Sequence, residues 1–329
     1  MYEKGGVGTL AEILEFYKGQ QVDTTMIELL NQTNDILDDI PFREANRVEG
    51  HETRVRTDLP AVYFRRLYRG TPVSKSQWSR VTETIAMMES RMELDVKEKE
   101  LYDAAFGAYR MSEGKAHTEA LRQKAAYLLF YGDHKKQPDE FDGLATRYAK
   151  LDTPNVIDAG GTGSKLTSMY LVAWGADTAH GIFPKHSIGG LQHEDLGQYT
   201  TQDADGYKFE VFADLFKWNI GLAVRDWRSV VRICNIDTTK LALKSTDSGF
   251  IDLKKLTIQA KNKMPEAMRN RAIWYVNSEL LTGLEIQSSD PNMVHLRYGE
   301  YFGSKDVPMI NARPVRQCDV ISSTEKKVA

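Results

Sequence analysis

The feature that most constrains this chain is a long stretch, Arg43–Asp95, in which apolar side chains alternate with charged or polar ones. Alternation with a period of two is typical of a β-strand that has one covered face. It predicts strands over Thr53–Thr57, Val62–Leu67 and Arg80–Leu94, with a polar tip over Arg69–Ser79. A hairpin of this length with a polar end cannot cover both of its faces within one molecule. We therefore expect it to project from the folded body.

The first half of this hairpin is cationic, although the whole chain is nearly neutral. The sequence has 43 Lys and Arg against 46 Asp and Glu, a formal net charge of −3, so it has no global cationic field for a phosphate backbone. The local excess favours an acidic partner surface elsewhere, with a solvated hairpin face as the alternative. The cations are Arg43, Arg47, Arg54, Arg56, Arg65, Arg66, Arg69, Lys75 and Arg80, against Glu44, Glu49, Glu52 and Asp58.

The N-terminal segment predicts two short helices. Thr9 followed by Glu12 forms a capping box. The second helix begins between Asp23 and Thr25 and ends at Pro41, because proline has no amide hydrogen to donate. The apolar faces of both helices are narrow, so they pack either on their own chain or on a neighbouring subunit. Carboxylates near the end of the second helix oppose its dipole and are candidates for salt bridges with another chain; they are Asp35, Asp38 and Asp39.

Helical periodicity returns after the hairpin. Apolar residues recur at helical spacing over Val96–Arg110 and again over Ser112–Tyr131. Ser112 is a suitable N-cap and Gly132 a suitable C-terminal stop. The sequence thus predicts two helices, of which the second is about 30 Å long at 1.5 Å per residue. A rod of that length can act as a spine.

The rest of the chain predicts a strand-rich region with interspersed helices. Short strands are expected at Asn155–Asp158 and Ser168–Trp174. Two or three long strands are expected over Lys208–Ile236, with a turn near Arg225. The polar residues Ser322–Ala329 are expected to fray.

A glycine-rich loop, Gly160–Lys165, is the most suggestive candidate for chemistry, because glycines let backbone amides approach a phosphate. Its spacing does not match a Walker loop, because Ser164 separates the last glycine from the lysine. It does not match a dinucleotide fingerprint either, which requires glycine where Leu166 stands. A tight turn between strands is the favoured interpretation, and phosphate binding is the alternative.

Other residue types that carry chemistry are dispersed. His180, His186 and His193 have neither the helical nor the ribbon spacing of a zinc site and are interpreted as surface histidines. Cys234 and Cys318 are too few for a disulfide framework, so a reducing, intracellular folding site is expected. Neither a Ser-His-Asp order nor a nucleophile elbow is evident. We therefore predict no enzyme, no metal and no cofactor, and no membrane partner, because no segment approaches the roughly 20 apolar residues that span a bilayer.

Six distinctive segments are spread over most of the chain. They are NDILDDIPF (Asn34–Phe42), GHETRVRTDLPAVYFR (Gly50–Arg65), NVIDAGGTGS (Asn155–Ser164), HGIFPK (His180–Lys185), GLQHEDLG (Gly190–Gly197) and GLAVRDWRSVVRICNID (Gly221–Asp237). These segments resemble those of major capsid proteins from short-tailed, double-stranded-DNA bacteriophages and related prophages. The order of arm, long hairpin, spine helix, long sheet and mixed domain resembles the Hong Kong 97-type (Johnson) capsid fold.

The resemblance implies an α+β fold and a division of the chain into parts. Residues 1–42 would form an N-terminal arm, and residues 43–95 would form an extended β-hairpin loop lying across an adjacent subunit. Residues 96–150 and 207–236 would form a peripheral domain with its spine helix. Residues 151–206 and 237–321 would form an axial domain, and residues 322–329 would form a flexible tail. The axial domain would meet its copies at the centres of hexamers and pentamers.

The resemblance also implies a function and partners. Subunits would self-assemble into pentamers and hexamers of an icosahedral virion capsid, made in the cytoplasm of the host bacterium, that encloses double-stranded DNA without reading its sequence. Portal, scaffolding or cement proteins would be further partners. Loop cations would pair with a neighbour's carboxylates, since guanidinium binds them bidentately; the candidates are Arg54, Arg56, Arg65, Arg66, Arg69 and Lys75. A cellular encapsulating shell protein of the same fold, and a phosphate-binding enzyme using Gly160–Lys165, are the alternatives.

Overall fold

The structure, a computed structural model, describes residues 32–48, 50–243, 247, 249–288, 296–301 and 304–329. These residues group into two units: the described part of the first comprises 88–122 and 191–218, and the second takes the others. The predicted helix after Gly8, and most of the one that begins near Asp23, lie outside the described residues. The domain bounds implied by the resemblance stay a prediction.

Strands and helices follow one another along the described part of the chain. The strands are β1 (Phe42–Glu44), β2 (Gly50–Asp58), β3 (Gln77–Asp95), β4 (Val156–Asp158), β5 (Leu166–Ala173), β6 (Ala179–Phe183), β7 (Gln192–Gln202), β8 (Lys208–Val224), β9 (Val230–Asp237), β10 (Ala272–Val276), β11 (Leu296–Tyr301), β12 (Ser304–Ile310) and β13 (Arg313–Gln317). The α-helices are α1 (Ile36–Asp39), α2 (Val96–Tyr131), α3 (Leu144–Arg147), α4 (Leu253–Lys263), α5 (Glu266–Arg269) and α6 (Ser278–Ser288). The short strands predicted around the glycine-rich loop are confirmed as β4 and β5.

Helix α2 is continuous over 36 residues, about 54 Å at 1.5 Å per residue. The prediction of two helices with an N-cap at Ser112 was wrong. The sequence between Val96 and Tyr131 contains no proline, and an interior glycine, such as Gly107 or Gly114, costs only about 1 kcal/mol. Nothing therefore ends the helix at Ser112. None of the helices in the described ranges is long and apolar enough to cross a membrane.

The first unit contains a β-ribbon and the first part of α2. Strand β7 pairs antiparallel with the first part of β8, with His193 opposite Phe216. Phe106 of α2 packs on Phe212 of β8, with ring centroids 5.7 Å apart. The buried carboxylate of Asp214 accepts hydrogen bonds from Nε and Nη2 of Arg110, at 2.6 and 2.8 Å. The ion pair of Arg110 with Asp214 thus helps to hold the helix on the ribbon.

The second unit contains a seven-stranded sheet in the order β11-β12-β13-β10-β5-β9-β4. Every residue of β5, β9 and β10 is buried, as is usual for strands covered on both faces. Trp274, Leu171 and Ile233 share one core with Leu253 of α4 and Leu284 of α6. The long strands predicted as one set separate here, because β9 lies in this sheet and β8 in another, ordered β1-β6-β8-β3-β2.

The predicted hairpin is formed by β2 and β3, which pair antiparallel from Gly50 opposite Thr84 outward. The strand predicted over Val62–Leu67 was wrong, because residues 59–76 form an irregular tip. Pro60 has no amide hydrogen to donate to a strand ladder and also restricts the residue before it. The tip therefore has no regular pairing beyond the end of β2.

The last residues pack against the second unit, so the prediction that Ser322–Ala329 frays was wrong. The side chains of Glu325 and Arg232 are only 6% and 4% exposed, and their charged groups lie 2.9 Å apart. The hydroxyl of Tyr131 donates to the same carboxylate at 2.5 Å, and Val328 is buried. The segment is polar in sequence but does not fray, because one of its charged residues, Glu325, is paired with a buried cation from a distant strand.

Removing the carboxylate of Glu325 leaves the guanidinium of Arg232 buried without its partner. Breaking a buried pair from one side costs about 3–5 kcal/mol, so we expect Glu325→Ala to lower the free energy of unfolding by about that amount in urea titrations followed by circular dichroism. The exposed neighbour supplies the control, because Lys326→Ala should change stability by less than about 0.5 kcal/mol. Equal stability of the two variants would contradict the packing of this segment.

Candidate assembly surface

The tip of the hairpin, residues 59–76, presents large apolar side chains to solvent. Phe64 and Tyr68 are fully exposed, and Val73 is 98% exposed. Folded monomers rarely leave a contiguous apolar patch of this kind uncovered. The prediction placed a polar tip over Arg69–Ser79, but the irregular tip begins at Leu59 and includes apolar side chains that had been assigned to a strand. The other exposed apolar side chains of the tip are Leu59, Val62, Tyr63 and Leu67.

Four of the predicted contact residues lie in the same tip. Arg65, Arg66, Arg69 and Lys75 are all exposed, and the tip sequence contains no Asp or Glu. The surface is therefore both apolar and cationic. Such a combination suits a partner surface that has an apolar centre and an acidic rim.

The two other predicted cations lie on strand β2. Arg54 and Arg56 are exposed, and two residues apart on a strand they point to the same face. The guanidinium of Arg54 lies over the ring of Trp78, 5.0 Å from its centroid, and Arg80 stands opposite Arg54 in the β3 register. Arg80 itself pairs with Glu52, which leaves Arg54 and Arg56 as the charges that face outward.

The base of the hairpin is held by a buried ion pair. Glu83 of β3 accepts two hydrogen bonds from Arg147 of α3, one from Nη1 at 2.8 Å and one from Nη2 at 2.5 Å. The side chain of Glu83 is only 7% exposed. A bidentate pair of this kind fixes both distance and orientation. Sequence analysis missed it, because 64 positions separate the partners.

Beside this pair, two histidines pack edge to face at the same base. The rings of His51 (β2) and His180 (β6) lie 5.7 Å apart at an interplanar angle of 86°, and the Nδ1 atoms of both are buried without a hydrogen-bond partner. Burial lowers the pKa of His180 to about 4, and the charges of His51, Arg225 and Arg43 act in the same direction. Burial lowers the pKa of His51 as well. Both rings are therefore neutral near pH 7.

The acidic candidates at α1 separate into two kinds. The side chain of Asp39 is fully buried, and its Oδ2 lies 3.3 Å from Nε of Arg316 and accepts a hydrogen bond from the hydroxyl of Tyr275 at 3.0 Å. Asp35 lies 3.4 Å from the same nitrogen. Burial raises the pKa of both carboxyls, against the opposing charge of Arg316. Because Asp35 and Asp39 have a partner within the chain, only the exposed Asp38 stays in the proposed inter-subunit set.

The glycine-rich loop is a close connection between β4 and β5. A Cβ atom on Gly161 would lie 2.4 Å from the carbonyl oxygen of Asn235, and one on Gly163 would lie 3.1 Å from the carboxylate of Asp237. The glycines of Gly160–Lys165 thus permit close packing on the end of β9. The loop connects two strands, as the sequence favoured, but it is a seven-residue loop over 159–165 with a bend at Gly163 and Ser164 and not a tight turn.

The remaining candidates for metal or redox chemistry lie apart. His186 and His193 are exposed, as predicted, whereas the interpretation of His180 as a surface residue was wrong, because His180 is only 2% exposed. Cys234 and Cys318 are both free and buried. Within the described ranges, no group of three or more His, Cys, Asp or Glu is placed to hold a metal ion.

Comparison with known proteins gives this surface a context. The family described as "Major capsid protein GP7" matches residues 18–329. The chain belongs to this family of phage capsid proteins. No curated protein sequence matches it.

Solved structures give this capsid protein its fold. A chain in a near-atomic-resolution structure of bacteriophage epsilon15 is 28% identical, with a TM-score of 0.76, and the similarity covers 99% of both chains. The capsid protein has the Hong Kong 97-type, α+β fold that the sequence predicted. The bacteriophage JBD30 capsid is 12% identical over 96% of this chain and 99% of that chain, at a TM-score of 0.48. The SrpI encapsulin complex from Synechococcus elongatus is 9% identical over 67% of this chain and 95% of that chain, at a TM-score of 0.44.

The paired histidines predict a specific dependence of stability on pH. Because folding lowers the pKa of His180 to about 4, the unfolded chain binds more protons below about pH 6.5, its ordinary pKa. The stability from neutral His180 is complete above pH 6.5 and is lost as pH falls toward 4. We expect His180→Gln to make the free energy of unfolding fall less steeply between these pH values.

The control for this measurement is His186→Gln, which replaces an exposed histidine. It should leave the slope of the parent protein unchanged. Comparing slopes, and not absolute stabilities, separates the proton effect from any loss of packing at position 180. Identical slopes for both variants would contradict the burial of a neutral imidazole at the hairpin base.

Proposed function

We propose that this capsid protein builds its shell by placing the hairpin tip, residues 59–76, on a second copy of the chain. Subunits joined in this way form pentamers and hexamers that close into an icosahedral head. Because each copy both gives a tip and receives one, contacts that are weak singly add up over a closed shell.

One observation carries this proposal: the apolar side chains of the tip are exposed, with no cover among the described residues of their own chain. Burying one Phe or Leu side chain contributes about 1.5–3 kcal/mol. Phe64 and Leu67, which are 102% and 88% exposed, therefore offer a substantial driving force only if another molecule covers them. The cations Arg65, Arg66, Arg69 and Lys75 would then meet carboxylates at the edge of the contact and set its orientation.

The proposed shell encloses double-stranded DNA without gripping it. The net charge of −3 gives no global attraction to phosphate, so packaged DNA would be contained by the wall and not read by it.

Portal, scaffolding or cement proteins are proposed as further partners, and assembly is proposed to take place in the cytoplasm of the host bacterium. We propose no catalytic role, in keeping with the dispersed histidines and the packed loop at Gly160–Lys165. The family match over residues 18–329 favours a phage head over a cellular encapsulating shell.

A double substitution in the tip tests this function. Phe64→Ser with Leu67→Ser removes apolar surface that the single chain leaves exposed, so the fold should keep its stability while assembly loses driving force. We expect the particle fraction of expressed protein in gradient sedimentation to fall at least about tenfold, because each contact loses the burial of two side chains, about 1.5–3 kcal/mol apiece.

The matched control is Ile188→Ser, which removes an apolar side chain that is 75% exposed and lies outside the hairpin. It should leave the yield of particles unchanged. Normal particles from the tip variant, confirmed by negative-stain microscopy, would show that the tip does not drive assembly. A parent protein that stays monomeric at high concentration would count against the proposed function as a whole.

A further inference from the structure

The segment of β7 and the turn that joins it to β8 carries a local excess of acidic side chains, opposite in sign to the cationic hairpin. Between Lys185 and Lys208 the sequence contains no Lys or Arg, but it contains four carboxylates, Glu194, Asp195, Asp203 and Asp205. Glu194 pairs with Lys217 at 2.9 Å, and Asp195 pairs with Arg110 at 2.9 Å. Asp203 and Asp205 have no ion pair among the described residues, and both are exposed.

These two carboxylates lie in an ordered turn between the strands. Oδ1 of Asp203 accepts hydrogen bonds from the backbone amides of Asp205 and Tyr207, at 3.0 and 2.8 Å. Gly206 has a φ of +86°, which favours glycine and closes the turn. The turn therefore presents its charges in a fixed arrangement, together with the ring of Tyr207, which is 74% exposed.

A groove beside β2 has the opposite charge. It is lined by residues 53–56 of β2, which include Arg54 and Arg56, by residues 225–228 after the end of β8, and by Asp177. Trp227 is 48% exposed, so the groove also offers an aromatic surface.

The charges of the groove do not cancel. Arg225 lies 3.4 Å from a carboxylate oxygen of Asp177, and Arg228 lies 2.8 Å from one of Asp226. Arg54 and Arg56 have no carboxylate partner within the described ranges. The groove therefore carries two uncompensated guanidinium groups on one strand face, and the turn carries two uncompensated carboxylates.

We propose that the β7–β8 turn of one copy docks in the β2 groove of a neighbouring copy, with Asp203 and Asp205 paired to Arg54 and Arg56. This inference rests on the proposed function, because it needs two copies in one shell, and it adds a partner for β2 that is distinct from the surface that covers the tip. Paired charges of this kind set the register between neighbours and exclude wrong contacts, since misplaced subunits would leave guanidinium groups unpaired.

The exposed acidic turn favours a second copy of this chain over nucleic acid as the occupant. A phosphate backbone would be drawn to a cationic surface that extends over many phosphates. The β2 groove instead holds Asp177 and Asp226 among its arginines, and these would repel phosphates on either side of a bound one. A compact turn brings only two carboxylates, one for each guanidinium group of the groove that has no carboxylate partner within the described ranges.

An exchange of charges tests the pairing. Arg54→Glu with Arg56→Glu, and separately Asp203→Arg with Asp205→Arg, should each lower the particle yield of expressed protein at least about tenfold. All four substitutions in one chain should restore at least half of the parent yield, because the pairs are then re-formed with reversed signs. Circular dichroism of the soluble fraction checks that each variant is folded.

A matched control separates specific pairing from net charge. Arg54→Glu with Arg56→Glu is combined with Asp139→Arg and Asp152→Arg, which reverse two other exposed carboxylates and give the same total charge. This chain should not form particles. The pairing is wrong if this control chain assembles as well as the chain with all four exchanged charges, or if the four exchanged charges restore no particles. In either case, a parent protein that assembles would still support the proposed function.

Two further outcomes distinguish the possible occupants. If Arg54→Glu with Arg56→Glu gives normal empty particles but lowers the DNA content of phage heads, the groove binds nucleic acid and the pairing is wrong.

In the chain with Arg56→Cys and Asp205→Cys, a short bis-maleimide should link subunits into covalent chains within particles, visible as a ladder on denaturing gels. Either cysteine alone should give at most dimers, and a missing ladder in well-formed particles would overturn the proposal.

Discussion

The β2–β3 hairpin has more surface than one chain can cover, and the rest of the arrangement follows from this constraint. Its tip keeps apolar side chains in water, and a folded chain that did only this would tend to aggregate. A defined partner surface turns the same property into a specific contact. The described residues accordingly hold the base of the hairpin firmly, through the bidentate pair of Glu83 with Arg147 and the packed rings of His51 and His180.

The ion pairs of the chain divide into an internal and an external set. Buried carboxylates such as Glu325, Asp39 and Asp214 each have an arginine within their own unit, because an unpaired charge in the interior is costly. Arg54 and Arg56 of the hairpin, and Asp203 and Asp205 of the β7–β8 turn, have no such partner among the described residues. This division explains why a nearly neutral chain has local patches of positive and negative charge. The charges that stabilise the fold neutralise one another inside it, whereas the outward-facing charges do not.

Much of the fold could be predicted from period and composition. The alternating stretch predicted the hairpin, and helical spacing predicted α2. The continuity of α2 through Ser112 was missed, because a serine is an N-cap only where the residues before it are not helical. The tip was predicted as polar because its serines and glycine were weighed without Val62, Phe64 and Leu67, which had been assigned to a strand. The tail after Ile321 looked solvated, because a pair such as Glu325 with Arg232 depends on residues far apart in sequence. The candidate cations could be named in advance, but their proposed partners could not, since these would belong to another copy of the chain.

The five tryptophans are divided by burial in a way that has a practical consequence. Trp174, Trp218 and Trp274 are buried, whereas Trp78 and Trp227 are about half exposed, and Trp78 lies under the guanidinium of Arg54. The environment of the three buried indoles is already set by the folded chain. A change in intrinsic fluorescence when subunits meet would thus come from the two indoles beside β2, Trp78 and Trp227. The protein carries its own optical probe of that event, without any attached dye.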